Sequence, residues 1–253
     1  MDEPLLDVRD LSMVWPKAEQ PVLRDISLSV RAGEFVAILG ANGSGKTTLL
    51  RCIVRLLTPA SGSIVIAGSE MVHLAGAGLQ RARRRVALIS QNANLVKRRS
   101  VLANVAAGSL GRRREWWTSA GALPQSELEL AHRYLQTVGL DDLGAQRAGT
   151  LSGGQAQRVA VARALAQQPR VLLADEPVAN LDPEAAGDVL RVLRELAHDD
   201  ELAVVCVLHQ PDLAFGYADR IVGLQDGRVA FDVPSSAVSQ AMVDALYRSE
   251  SAA

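Results

Sequence analysis

The chain has 253 residues, of which 48% are hydrophobic and 22% charged, with a formal net charge of -1. That length buries a substantial core, the composition excludes a disordered or fibrous chain, and the near-zero charge gives no global field for nucleic acid. Cys52 and Cys206 lie far apart and form no CxxC or Cys/His metal spacing, which suits a reduced compartment.

In chain order, the acidic start Met1-Asp2-Glu3-Pro4 is not followed by the apolar stretch of a secretory signal. The longest apolar runs, such as Leu202 to Leu208, are strand-sized and far short of the roughly 18 residues of a membrane helix, so any membrane role is expected to come through a partner. Alternation at Ile26, Leu28 and Val30 predicts a half-buried strand, and the continuous run Phe35 to Leu39 predicts a fully buried one. A glycine loop follows, then Leu49, Leu50, Ile53, Val54 and Leu57 at helical spacing. Short strands are predicted at Ile64 to Ile66 and Val86 to Ile89. From Asn92 to about Gly149 the pattern is mostly helical, clearest at Val101 to Ala107 and Leu128 to Val138. Val171 to Ala174 and Ala203 to Leu208, separated by a helix over Glu184 to Ala197, predict a βαβ crossover in a parallel sheet. Asp226-Gly227 between Ile221 to Leu224 and Arg228 to Phe231 predicts a hairpin. Residues 235–253 carry no signal.

Gly40-Ala41-Asn42-Gly43-Ser44-Gly45-Lys46-Thr47 matches GxxxxGK[ST] between a strand and a helix, the context that this phosphate-binding loop requires. Gly40, Gly43 and Gly45 let the backbone wrap an anion, with amides such as those of Asn42 and Ser44 and the positive end of the new helix facing it. Lys46 supplies a charge toward the β and γ phosphates, Thr47 a hydroxyl for Mg²⁺, and Thr48 a supporting contact. The run Val171 to Ala174 then delivers Asp175 and Glu176 at the carboxyl end of a buried strand, where ligands bind in open α/β sheets. Asp175 is placed to orient Mg²⁺ and Glu176 to polarise an attacking water.

Leu151-Ser152-Gly153-Gly154-Gln155, continued by Ala156-Gln157-Arg158-Val159-Ala160-Val161-Ala162-Arg163-Ala164-Leu165, opens a helix with a hydroxyl cap and makes a second anion site. This segment resembles the signature sequence of ATP-binding cassette transporters, and the likeness extends from about Leu5 to about Pro234. The resemblance implies an α/β P-loop NTPase core with a small antiparallel β subdomain and an inserted α-helical lobe. One domain is expected, with its core at about 1–91 and 160–234, the lobe at about 92–159 and a tail at 235–253. It implies ATP and Mg²⁺ as ligands, and a homodimer in which Ser152, Gly153, Gly154 and Gln155 of one copy close over the γ phosphate held by the other.

Further positions follow the family in order. Gln91 resembles the glutamine that links Mg²⁺ and the γ phosphate to the membrane partner, although a lone glutamine is also an ordinary solvated loop residue. Asn180-Leu181-Asp182 resembles the loop that crosses the dimer interface, while Asp182 before Pro183 also reads as a plain helix cap. His209, after the buried run, resembles the histidine that contacts the γ phosphate and fixes the water; its alternative is a structural role. Trp15 stands where the family has an aromatic on adenine, and otherwise reads as a partly buried surface aromatic.

Asn94-Leu95-Val96, Ser100 to Val105 and Gly108 to Trp117 resemble the ATP-binding subunits of phosphonate importers. The expected partners are therefore transmembrane permease subunits and, through them, a solute-binding protein, at the cytoplasmic face of the inner membrane and without nucleic acid. Amino-acid importers and exporters are the alternatives. The cluster Arg81, Arg83, Arg84 and Arg85 is expected to be a solvated or interface face. Ala156, where glutamine is frequent, and the absence of an aromatic beside Gln91 depart from the pattern.

Overall fold

Phe35–Leu39, five residues without exposed surface, is the centre of the molecule and becomes β3. The computed structural model describes residues 3–16, 20–112 and 124–247, so Arg113, Arg114, Glu115, Trp116 and Trp117 of the importer-like segment lie outside the described residues. Strand β3 sits in a six-stranded sheet of order β10-β9-β3-β8-β7-β6, formed by Val86–Ile89 (β6), Val171–Asp175 (β7), Ala203–Val207 (β8), Arg220–Gln225 (β9) and Arg228–Pro234 (β10). Only β10 runs antiparallel to its neighbour, joined through Asp226 and Gly227, both at positive φ (47° and 74°) as a type I′ hairpin requires. The other strands are parallel, and the helix Pro183–His198 (α6) makes the expected crossover from β7 to β8.

A second, antiparallel sheet has the order β2-β1-β4-β5, from Leu6–Met13 (β1), Leu23–Val30 (β2), Ser61–Ile66 (β4) and Ser69–Glu70 (β5). Strand periodicity divides the core in two. Val36 and Ile38 face one cluster with Leu6, Ile26 and the helix Lys46–Ile53 (α1), while Phe35, Ala37 and Leu39 face another with the helices. Gly76–Arg83 forms α2 beside the first cluster. The helical stretch contains Val101–Ala106 (α3) and Gln125–Thr137 (α4), and leads into Gly153–Leu165 (α5). Pro211–Tyr217 (α7) and Gln240–Tyr247 (α8) complete the chain, α8 burying Val243 and Leu246.

Strand β1 has no counterpart among the sequence expectations, for a local reason. Leu6 and Val8 alternate, but the register shifts between Val8 and Leu11, with Asp10 at φ 48° and its amide bonded to the Ser27 hydroxyl at 3.0 Å. The extra residue moves Leu11 and Met13 onto the core face and breaks the period that would reveal the strand. Within the arginine cluster Arg81 and Arg85 are exposed as expected, whereas Arg83 is half-buried and donates to the carbonyls of Val54 (3.0 Å) and Arg55, stapling α2 to the end of α1. Among the described residues no helix is long and apolar enough to cross a membrane.

Candidate nucleotide-binding site

Parallel register brings three loops to one edge. Val207 of β8 pairs with Ile38 of β3 on one side and Asp175 of β7 on the other, so the loops after these strands leave the sheet at the same level. Residues Gly40 to Thr47, Glu176 and His209 therefore lie side by side, at the carboxyl ends where α/β sheets place ligands.

The glycine loop is shaped by close approaches. A Cβ on Gly40 would lie 2.2 Å from the Leu224 carbonyl oxygen, and Gly45, the cap of α1, has φ 103°. The loop folds around Lys46, a residue only 5% exposed, whose ammonium donates to the carbonyls of Gly40 (2.7 Å) and Ala41 (2.8 Å). Inside it the Ser44 hydroxyl is buried with no hydrogen-bond partner among the described residues, a donor left over for an anion. Trp15, Val22, Asn42, Gly43, Gly45, Lys46, Thr47, Thr48 and Glu176 line a cleft of about 390 Å³. Trp15, 38% exposed, forms its far wall, where a flat ring can stack on a base. Val22, next to β2, lines it too and carries no sequence signal beyond its apolarity.

Thr47 donates its hydroxyl to Asp175 Oδ1 at 2.9 Å, joining the helix start to the end of β7. Burial raises the Asp175 carboxyl above the ordinary carboxylate range; the Thr47 hydrogen bond opposes this and the adjacent Glu176 charge adds to it. A cation held between these two hard oxygens would relieve that strain on the charged form. Glu176, at φ 52°, turns its carboxylate toward His209, with Oε1 2.5 Å from Nε2. Its amide donates to the Val207 carbonyl at 3.2 Å, which fixes the turn that presents it. The carboxylate is thus held in front of the loop by the histidine ring, where an approaching water could give up a proton to it. Behind it, the Tyr247 hydroxyl of α8 donates to the His209 carbonyl at 3.4 Å, a contact that residues 235–253 do not signal in the sequence.

The remaining expected residues lie elsewhere. Ser152 is exposed and caps α5 in a capping box: its hydroxyl accepts from the Gln155 amide at 3.2 Å and the Gln155 side chain accepts from the Ser152 amide at 3.0 Å. Ser152 and Gly153 belong to a separate groove, and neither they nor Gly154 line the cleft with Lys46. Gln91 is an exposed bend residue just past β6 and also does not line that cleft. Asp182 accepts from the Ala185 amide at 2.9 Å, so the cap reading of Asp182 before Pro183 holds geometrically.

A family model described as ABC transporter matches residues 23–179. A phosphonates import ATP-binding protein of Halalkalibacterium halodurans is 42% identical over 96% of this chain and 94% of its own. A phosphite import ATP-binding protein of Stutzerimonas stutzeri is 43% identical over 99% of this chain and 90% of its own. Among solved structures, a dimeric ATP-binding cassette in a post-hydrolysis state, bound to ADP and Pi, superposes with a TM-score of 0.79 and 30% identity over 91% of this chain and 98% of that one.

Proposed function

The chain belongs to the ABC transporter family, and from that premise we propose that it is the ATP-hydrolysing subunit of an importer for phosphonate or a related phosphorus oxyanion. The observation that carries the mechanism is the arrangement of anion-binding elements. One glycine loop faces Glu176, itself in contact with His209, across a cleft, while the second anion-binding helix start, at Ser152, is exposed outside it. A single copy thus carries two half-sites that do not meet, and two copies facing each other complete both. The dimeric relative bound to ADP and Pi supports this reading.

In the closed pair, the loop amides and Lys46 hold the β and γ phosphates, and Trp15 stacks on the base. Thr47 and Asp175, with Gln91 brought in on closure, would hold Mg²⁺, which offsets charge on the transferred phosphoryl group when bound. Glu176 takes the proton of the attacking water, and His209 holds that carboxylate in place. Ser152 and the amides of Gly153, Gly154 and Gln155 from the facing copy supply donors to the γ phosphate, so closure depends on nucleotide. Asp182 carries the loop that crosses between copies. The helical stretch at about 92–159 is the lobe that passes this closure to permease subunits at the cytoplasmic face of the membrane.

The substrate assignment rests on the two importer relatives. Its test is the ATPase rate of the chain reconstituted with its permease and solute-binding protein. Phosphonate or phosphite is expected to stimulate phosphate release; stimulation by an amino acid and not by any phosphorus oxyanion would overturn the assignment.

A further inference from the structure

The loop that carries Gln91 is held by one helix, the same helix that begins at Ser152. Gln157 Nε2 donates to the Ser90 carbonyl at 3.2 Å, Arg163 Nη2 to the Ala93 carbonyl at 2.7 Å and Arg163 Nη1 to the Asn94 carbonyl at 2.9 Å. The three acceptors bracket Gln91, one before it and two after it. The two donors stand six residues apart on α5, about 9 Å along its axis, so the loop is pinned at both ends as a segment.

Neither donor is placed there cheaply. Gln157 is 3% exposed, a primary amide on the otherwise apolar buried face of the helix. Arg163 is half-buried and makes no ion pair among the described residues, and burial lowers its pKa with no carboxylate to oppose that. A guanidinium whose planar fork meets two backbone carbonyls fixes their relative position, which a lysine or an apolar residue cannot do. Since the acceptors are main-chain atoms, the grip is on the path of the loop rather than on any one side chain.

We propose that Gln157 and Arg163 are positioning residues that tie the Gln91 loop, serving a chain's own nucleotide, to the signature helix that the same chain presents to its partner's nucleotide. The inference rests on the two-copy reading above. Helix α5 is continuous from Gly153 to Leu165, so a shift of residues 90–94 toward one nucleotide moves Ser152 relative to the other. Each site then senses the occupancy of its twin through a path of three hydrogen bonds and one helix. Coupling of this kind is a free energy between two sites and shows as cooperative turnover.

The experiment measures phosphate release against ATP concentration for the purified full chain, alongside ATP affinity and thermal midpoint. Wild type is expected to approach a Hill coefficient of about 2, the number of sites. Arg163→Gln and Gln157→Leu are expected to bring it near 1 and to lower kcat by about tenfold or more, with the ATP affinity of the isolated chain nearly unchanged. Arg163→Lys, able to reach one of the two carbonyls, should recover part of the cooperativity. A folded Arg163→Gln chain as cooperative as wild type overturns the inference, as does a fall in kcat that tracks the thermal midpoint and leaves the Hill coefficient intact. Should Arg163→Gln fail to fold, Gln157→Leu carries the same comparison. A wild type that is non-cooperative at every protein concentration would remove the two-copy reading itself, and this inference with it; a cooperative wild type with equally cooperative variants removes the inference alone.

Discussion

Replacing Glu176 by glutamine removes a proton acceptor and little else. The side chain keeps its length, and the backbone keeps its φ of 52°, a left-handed conformation that both residues adopt at similar cost. The amide can still meet His209, whose Nε2 is 2.5 Å from the present carboxylate oxygen. What is lost is the proposed base, and a positioned base contributes about 10²–10⁴-fold in rate, or about 2.7–5.4 kcal/mol of barrier. The cleft also loses a negative charge beside a site for a polyanion, so ATP affinity should hold or rise. Phosphate release is therefore expected to fall by about 10²–10⁴-fold while ATP drives the chain into a stable dimer visible by light scattering. If His209 were the base instead, His209→Ala would abolish turnover and Glu176→Gln would spare it. Turnover of Glu176→Gln within about threefold of wild type, well inside the loss a base should cause, would refute the reasoning.

Lys46→Ala deletes two charge-assisted hydrogen bonds within the loop and the cation meant for the phosphates. At about 1.5–3 kcal/mol for a charged contact, equilibrium titration should show ATP binding about 10–100-fold weaker, and unchanged affinity would contradict the loop assignment. Asp175→Asn exchanges a carboxylate penalised by burial for a neutral acceptor that still takes the Thr47 hydrogen bond, so the nucleotide-free chain should melt higher while Mg²⁺-dependent hydrolysis is lost. Calorimetry showing a lower midpoint would count against this. Gly154→Ala places a methyl group 2.7 Å from Ala185 Cβ, and overpacking of about 1–3 kcal/mol should lower the midpoint by about 2–4 °C per kcal/mol. Burial pushes the Cys52 thiol up to about 11 and the Cys206 thiol further, so in the native chain at neutral pH almost no thiolate exists. Thiol reagents should label both cysteines only after denaturation; rapid labelling of the native chain would show that α1 or β8 opens.

Much of this architecture is written in local pattern. Phe35 to Leu39, the loop to Thr47, and the run Val171 to Asp175 each combine an apolar strand with a chemically distinctive end, and parallel pairing does the rest. The βαβ unit and the Asp226-Gly227 hairpin follow from length and turn chemistry. What escapes is whatever depends on an interruption or on distant packing. The bulge at Asp10 hides β1, and α8 has no distinctive period yet lays Tyr247 against the histidine turn. The face of Gln157 is visible in the sequence as an amide among apolar residues, but its partner, a main-chain carbonyl 67 positions away, is not. Asp182 shows the opposite case, since the cap that its place before Pro183 predicts is the contact it makes.

The opening of α5 is closely fitted to the segment that follows Glu176: a Cβ on Gly153 would press on Leu181 Cδ2 at 3.1 Å, and one on Gly154 would collide with Ala185 at 2.7 Å. Two stretches that look independent in a linear map are therefore a single moulded part. Anyone building chimeras among cassettes should transplant residues 151–165 and 180–186 together, because a graft of either alone inherits a socket cut for a different peg.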